Sequence, residues 1–437
     1  MTSLNDSNRI RKANLFVVVR LPTVQVLKLT AGGFCSSLLL LLLFGACSAY
    51  PETVEAEELE SRDVSGEWDV ETQRRVLQHS PLAAPPLSPT NRVADDELAA
   101  ELGQFLFYET RLSANGKVSC STCHDPDQSF ADGRALAVGL EIGRRHSPSL
   151  WNVAYNRWFF WDGRADTLWT QALLPLESAA EHGTDRFAIA RLIQSDVELF
   201  DAYARVFGEV PMLDDQQSVD RIFTNVGKAI EAYERLLISR SSRFDLFVSK
   251  LRQGGGGSSE LLTQSERRGL ELFVGKANCR LCHSGPLFSD REFHDTRVPL
   301  LDRDRAPDSG RYGGIAALLS AEFRGDGEYG DDPGVSLPNP SRRGETWGEF
   351  KTPTLRNVAM TAPYMHQGQL KTLREVVRFY STLENARPPH DHGETTMIPL
   401  ELTSAEIDDL VAFLETLTDE AIDPNLLKAP TQPLTRR

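Results

Sequence analysis

Between residues 95 and 253 apolar side chains recur at three- and four-residue spacing in "DDELAAELGQFLFYE", "DRFAIARLIQSDVELFDAYARVFG" and "VDRIFTNVGKAIEAYERLLIS". In the last stretch Ile222, Val226, Ile230, Tyr233 and Leu237 fall on one stripe, as in a helix that buries a single face. "GGGGSS" at 254–259 interrupts this pattern and reads as a flexible linker or long loop. Past it, Thr263 with Glu266, Thr372 with Glu375 and Thr403 with Glu406 have the spacing of capping boxes and open three further predicted helices. The Gly-, Asp- and Arg-rich stretch 300–350 reads as a long loop, and strand alternation is hardly present anywhere. The predicted fold class is therefore mainly α.

The N-terminal part obeys different rules. Arg9, Arg11, Lys12, Arg20 and Lys28 precede the apolar run "GFCSSLLLLLLFGAC", so residues 1–47 read as an export leader. Cys47 offers a lipid-attachment point, and an uncleaved membrane anchor is the alternative, although the run is slightly short for a span. Either reading puts the rest outside the cytoplasm, in the periplasm. Residues 48–94, acidic and then Pro-rich, read as a tether.

The 437 residues carry a net charge of −15 with no basic stripe, which argues against nucleic acid and for a cationic partner such as a basic electron carrier. Of the six cysteines, Cys35 and Cys47 belong to the leader. The other four form "CSTCH", Cys120, Cys123 and His124, and "CRLCH", Cys279, Cys282 and His283. Cys-x-x-Cys-His is the attachment pattern of c-type haem: two thiols bond the vinyl groups and the histidine ligates iron. A zinc site is the competing reading, but zinc ribbons separate their cysteine pairs by only about 15–20 residues. "GQFLF" before Cys120 and "GLELF" before Cys279, with "CHDPDQSFAD" and "CHSGPLFSD" after them, suggest two haem domains related by internal duplication, 95–253 and 260–425.

What each iron can do depends on its other face, since a second protein ligand leaves only electron transfer and an open position admits peroxide. His146, His182, His294, His366, His390 and His392, with Met360, Met365 and Met397, are the remaining candidates, and spacing does not choose among them.

Taken together, "CSTCH", "WNVAYNRWFFWDGRADTLWTQALLPLE", "GKANCRLCHSGPLFSD" and "FKTPTLRNVAMTAPYMHQGQLKTLREVVRFY" resemble the bacterial di-haem cytochrome c peroxidase and MauG family over residues 95–420. That resemblance implies two cytochrome c-like domains, the first haem reacting with hydrogen peroxide and the second passing electrons from an external donor: a small cytochrome, a cupredoxin or a protein substrate. Ordinary members place a Met fourteen residues after the His of "HDG"; here the count from His366 reaches Tyr380, as in MauG-like members, and Leu373, Val376, Val377 and Tyr380 share one stripe. The histidine that closes the first iron in ordinary members is replaced by Val138, so the resemblance implies an open peroxide site. Glu181 matches the catalytic Glu that moves a proton from the inner to the outer peroxide oxygen, Gln171 and Pro175 match its neighbours, and Trp161 matches the tryptophan between the haems. Glu177 and His182 are rivals to Glu181. Calcium between the domains is also implied, with Thr361 and Pro363 matching its backbone-carbonyl ligands and His146 standing where the side-chain ligand Asn should be. An ordinary peroxide-detoxifying peroxidase and a pure electron-transfer cytochrome are the alternatives to a MauG-like enzyme.

Overall fold

The computed structural model describes residues 68–254, 260–302, 306–389, 397–419 and 421–430. The leader, the start of the expected tether, most of the Gly-rich linker, and His390 and His392 lie outside the described residues. The architecture is mainly helical: α1 Val70–Leu77, α2 Glu97–Tyr108, the short α3 Cys120–Cys123, α4 Leu168–Glu177, α5 Arg186–Ser195, α6 Val197–Phe207, α7 Gln216–Glu234, α8 Arg243–Arg252, α9 Gln264–Val274, α10 Arg311–Leu319, α11 Leu373–Thr382 and α12 Ser404–Glu415. The one sheet among the described residues pairs β1 Phe293–His294 with β2 Phe350–Lys351 antiparallel, Phe293 opposite Lys351.

Two helix crossings organise the core. α2 lies against α7, and at the crossing a Cβ on Gly103 would run into the carbonyl of Ala229. α9 lies against α12 in the same manner, with Gly269 against the carbonyl of Asp409. Backbone touches backbone at both places, so each glycine sets the distance between two helices that carry large buried side chains. Leu102, Leu106, Trp169, Leu173, Tyr203, Ile222, Phe223 and Val226 pack around the first crossing. Leu270, Phe273, Val274, Leu410, Phe413 and Leu414 pack around the second.

Several expectations need correction. The run from Asp185 to Gly208 is not one helix: Asp196 ends α5 and its carboxylate caps α6 by accepting from the amides of Glu198 and Leu199. The capping boxes at Thr263 and Thr403 form, but Glu375 turns its carboxylate to the amide of Lys371, leaving only the Thr372 half of that box. The stretch 300–350 contains α10, whose "GGIAALL" is apolar enough to pack Ile315 and Leu318 inside.

The described part of the expected tether, 68–94, is folded. Asp69 caps α1, and Trp68 and Val76 are buried in the cluster built by α9 and α12. Composition misled here, because two well-placed apolar residues outweigh the prolines around them. Phe244, Phe247, Val248 and Leu251 of α8 join that same cluster, although the chain boundary expected from the glycine run assigned them to the first domain.

Gly103→Ala and Gly269→Ala force carbonyl-bearing helices apart, at a cost of about 1–3 kcal/mol each. Thermal unfolding of the two variants checks this, the expected outcome being a midpoint lowered by several degrees in both.

Candidate functional site

Each Cys-x-x-Cys-His segment closes on itself by one helical turn: the amide of His124 donates to the carbonyl of Cys120, and that of His283 to Cys279, both at 2.9 Å. The four thiols are free and half-buried. Burial raises the thiol pKa of Cys123 to about 11 and of Cys279 to about 12, and that of Cys120 further still, so these three are thiols.

Both imidazoles are held by one kind of bond. Nδ1 of His124 lies 3.1 Å from the carbonyl of Phe130, and Nδ1 of His283 lies 2.8 Å from that of Phe288. A carbonyl only accepts, so Nδ1 carries the proton and Nε2 keeps its lone pair. Burial lowers both pKa values, which keeps the rings neutral and fit to ligate.

The segments that face these motifs repeat at a constant offset of 205 residues. Asn152 and Asn357 both sit in the left-handed region and open short 3₁₀ turns, Val153–Tyr155 and Val358–Met360. Their side-chain oxygens accept from the amides of Ser239 and Asp419. Phe159 then bridges Ala165 as Tyr364 bridges Leu370, and Thr167 caps α4 as Thr372 caps α11. Carried along the two helices, the same offset pairs Pro175 with Tyr380. One half thus presents a pyrrolidine ring where the other presents a phenol.

Tyr380 is half-buried: burial raises its pKa, the nearby Cys282 and Cys279 add to that, and a hydrogen bond with Thr296 opposes it. On the other side, burial raises the pKa of Glu181, against the pull of Arg164 and a hydrogen bond with Ser178. The Glu181 charge is felt by both Cys120 and Cys123, so it stands beside the first motif as Tyr380 stands beside the second. Val138 is also here, its carbonyl 3.6 Å from Sγ of Cys123. Two further groups gather at this wall with unmet hydrogen-bonding capacity: Oε1 of Gln171 and both ring nitrogens of His182 are buried without a partner. Glu177, by contrast, is bound by Arg186 through two 2.8 Å bonds and points to the surface.

Trp161 donates from its indole to the carbonyl of His146 at 2.9 Å, and the amide of Lys351 donates to the carbonyl of Trp161. The amide of His146 donates to the carbonyl of His366, whose ring stacks on Phe350 at 3.6 Å. A calcium ion does not fit this region well. His146 engages the carbonyl of Arg134 through Nδ1 at 2.7 Å, and an imidazole is a poor ligand for a hard cation. The carboxylates of Asp162 and Asp308 are taken by Arg145 at 2.5 and 2.8 Å. Thr361 precedes the cis peptide Ala362–Pro363, of which Pro363 is the second residue.

A support not foreseen from the sequence backs the second motif. The guanidinium of buried Arg356 makes two bonds to Asp245, at 2.8 and 2.9 Å, and one to the carbonyl of Pro286. Ser80 and Ser242 donate to the same carboxylate. Buried His79 places its ring against Phe288, with Nε2 3.3 Å from the carbonyl of His283. No spacing rule joins residues so far apart in the chain.

Known proteins bear directly on this geometry. The family model described as "Di-haem cytochrome c peroxidase" matches residues 97–253. Methylamine utilization protein MauG of Methylophilus methylotrophus is 31% identical, covering 76% of this chain and 85% of its own. Cytochrome-c peroxidase IdrP1 of Pseudomonas sp. (strain SCT) is 32% identical over 81% of this chain and 89% of its own. The chain belongs to the di-haem cytochrome c peroxidase family. The crystal structure of the diheme peroxidase BthA from Burkholderia thailandensis E264 aligns with a TM-score of 0.60 and 29% identity, over 82% of this chain and 94% of that one.

Membership makes the chain a haem peroxidase of the oxidoreductase class, with peroxide as substrate class and an electron donor as partner. The residues fit haem: free thiol pairs, imidazoles with Nδ1 bonded and Nε2 available, and orphaned polar atoms at Gln171 and His182. They do not fit one shared zinc ion, since no cluster of ligand atoms among the described residues combines the two cysteine pairs. The one three-residue group, Cys282, Asp290 and His294, has its Asp and His bonded to each other at 2.8 Å. No described helix is long and apolar enough to cross a membrane.

Removing the Asp245 carboxylate leaves the Arg356 charge buried and alone, so Asp245→Ala is expected to lower stability by about 3–5 kcal/mol. Burial opposes ionisation of Asp245, but Arg356, Ser242 and Ser80 outweigh it and hold the pKa below its ordinary value. Its folded-state pKa being depressed, the carboxylate's contribution is present above the unfolded pKa and is lost as pH falls through the folded one. Denaturant unfolding at neutral pH and at stepwise lower pH checks both statements: wild type converges on the variant in acid.

Proposed function

We propose that this protein is an exported, MauG-like di-haem peroxidase with two covalently bound c-type haems, built from an internal duplication. Cys120, Cys123 and His124 hold the first haem, and Cys279, Cys282 and His283 the second. When bound, the haems supply the iron that exchanges electrons with hydrogen peroxide and with the external donor.

The observation that carries this reading is the pairing of Pro175 with Tyr380 at one place in the repeated unit. Pro175 has no donor atom, so the face opposite His124 stays available to peroxide. Tyr380 presents a phenol oxygen opposite His283. A phenolate is a hard anion and favours ferric over ferrous iron, which gives the second centre a low potential. The raised pKa of free Tyr380 does not oppose this, because a metal cation inverts the local balance for an adjacent acid.

Glu181 holds and moves the proton. Burial raises its pKa, which suits a carboxyl that gives a proton to the outer peroxide oxygen and regains one from the inner. Gln171, on the same wall, orients the substrate by hydrogen bonding. Trp161 lies on the segment joining the two centres and offers an aromatic path for charge between them.

Tyr380→Phe removes the anionic ligand, and the midpoint potential of the second haem is expected to rise, with a changed optical spectrum. An unchanged potential and spectrum would overturn the ligand assignment. Glu181→Gln is expected to slow the reaction of the ferric protein with hydrogen peroxide by about 10²–10⁴-fold while haem content stays at two per chain. Steady turnover with reduced cytochrome c favours an ordinary detoxifying peroxidase. Negligible turnover beside a long-lived two-electron-oxidised protein favours the MauG-like reading.

A further inference from the structure

His182 is the most anomalous polar side chain of the peroxide wall. It is only 4% exposed, and neither ring nitrogen makes a hydrogen bond of good geometry, the Pro175 carbonyl offering the ring only a weak contact. An unsatisfied buried donor or acceptor costs about 1–3 kcal/mol and calls for an occupant or a role. The backbone holds it firmly in place: its amide donates to the carbonyl of Pro175 at 3.1 Å, and its carbonyl accepts from Ala114 at 2.9 Å. It is therefore tied to Pro175, and its ring lies within electrostatic range of His124. Glu181 is its chain neighbour, and Gln171 Oε1, the other orphaned atom, belongs to the same helix as Pro175.

We propose that His182 is a second catalytic residue of the peroxide pocket, the base that takes the proton hydrogen peroxide loses on binding. This deepens the peroxidase reading above and rests on it. As peroxide binds, the O–H bond of its inner oxygen breaks, the electron pair stays on that oxygen, and the proton passes to a ring nitrogen of His182. The O–O bond then breaks with its pair on the outer oxygen, which takes the same proton by way of Glu181 and leaves as water. The haem pair, when bound, would supply the two electrons for this cleavage and keep the inner oxygen. Two groups divide the work: a neutral base for the first transfer and a carboxylic acid for the second. Burial, with a smaller contribution from His124, lowers the His182 pKa to about 4 against a backbone contact to Pro175, so the ring is neutral at neutral pH and has a lone pair free to accept a proton.

Hydrogen cyanide is a suitable probe, because it too must lose a proton to ligate ferric iron but undergoes no turnover. The full-length holoprotein is prepared as wild type, His182→Leu and His182→Gln, each checked for two haems per chain, resting spectrum and unfolding midpoint. Expected is a ~10²-fold slower association of both cyanide and peroxide in each variant, with resting spectrum and haem content unchanged. The glutamine variant retains polarity without basicity, so it decides the matter if the leucine variant does not fold. Association as fast as wild type overturns the role of His182 alone. A resting spectrum that turns from low-spin to high-spin in the variants also overturns it, by making His182 an iron ligand. A wild-type protein that binds neither probe overturns the underlying peroxidase reading instead.

Discussion

Everything at the two centres depends on a bond between an imidazole N–H and a backbone carbonyl, His124 to Phe130 and His283 to Phe288. It fixes the tautomer, aims Nε2 and removes a rotational freedom that a ligand would otherwise have to freeze. The carbonyls are themselves held in unusual conformations: Ser129, Phe130 and Phe288 have positive φ, a strained state for non-glycine residues. Strain of this kind persists only where the surroundings over-determine it. Phe130 is wedged against Phe107 and Trp151, and Phe288 against Phe244, Phe273 and Phe413. The aromatic core thus reaches each imidazole through a single carbonyl.

The same economy appears on the opposite face. Asn152 and Asn357 tie their turns to the segments that follow α7 and α12, and the glycine crossings fix those helices against α2 and α9. Each turn-helix unit is therefore registered against the helix that leads into its own cysteine motif. Pro175 and Tyr380 inherit their positions from that registration, which explains why one residue can differ so sharply in chemistry without disturbing the frame.

Much of this was readable in the sequence. Cys120, Cys123, His124 and their second copies follow a fixed covalent pattern, and helices with a periodic stripe, such as α7 and α11, appear where the apolar residues predict them. Glu181, Gln171, Pro175 and Tyr380 came only from resemblance, because a single acid or tyrosine carries no local pattern. What stayed hidden depends on distant pairings. Asp245 meets Arg356 across more than a hundred residues, and His79 reaches the His283 carbonyl from a stretch whose prolines suggested a tether. His182 was visible as a rival to Glu181, but that its nitrogens are buried and unmatched is a property of packing alone.

The two halves differ most in how their buried polar groups are balanced. Around the second motif the charged groups named in the support are paired, Arg356 with Asp245, His294 with Asp290 and Arg387 with Asp295, while Nε of Arg297 and Nδ2 of Asn357 are buried without a partner. A paired, aromatic-lined surround suits a centre that exchanges electrons without making or breaking bonds, since little need reorganise. Around the first motif Gln171 and His182 are left unmatched and Glu181 is raised by burial. Such groups destabilise the resting fold slightly. Under the proposed peroxidase reading, peroxide, with two donors and two acceptor oxygens, would answer an amide oxygen, an imidazole and a carboxyl together, and the incomplete hydrogen bonding of the first half would then serve specificity.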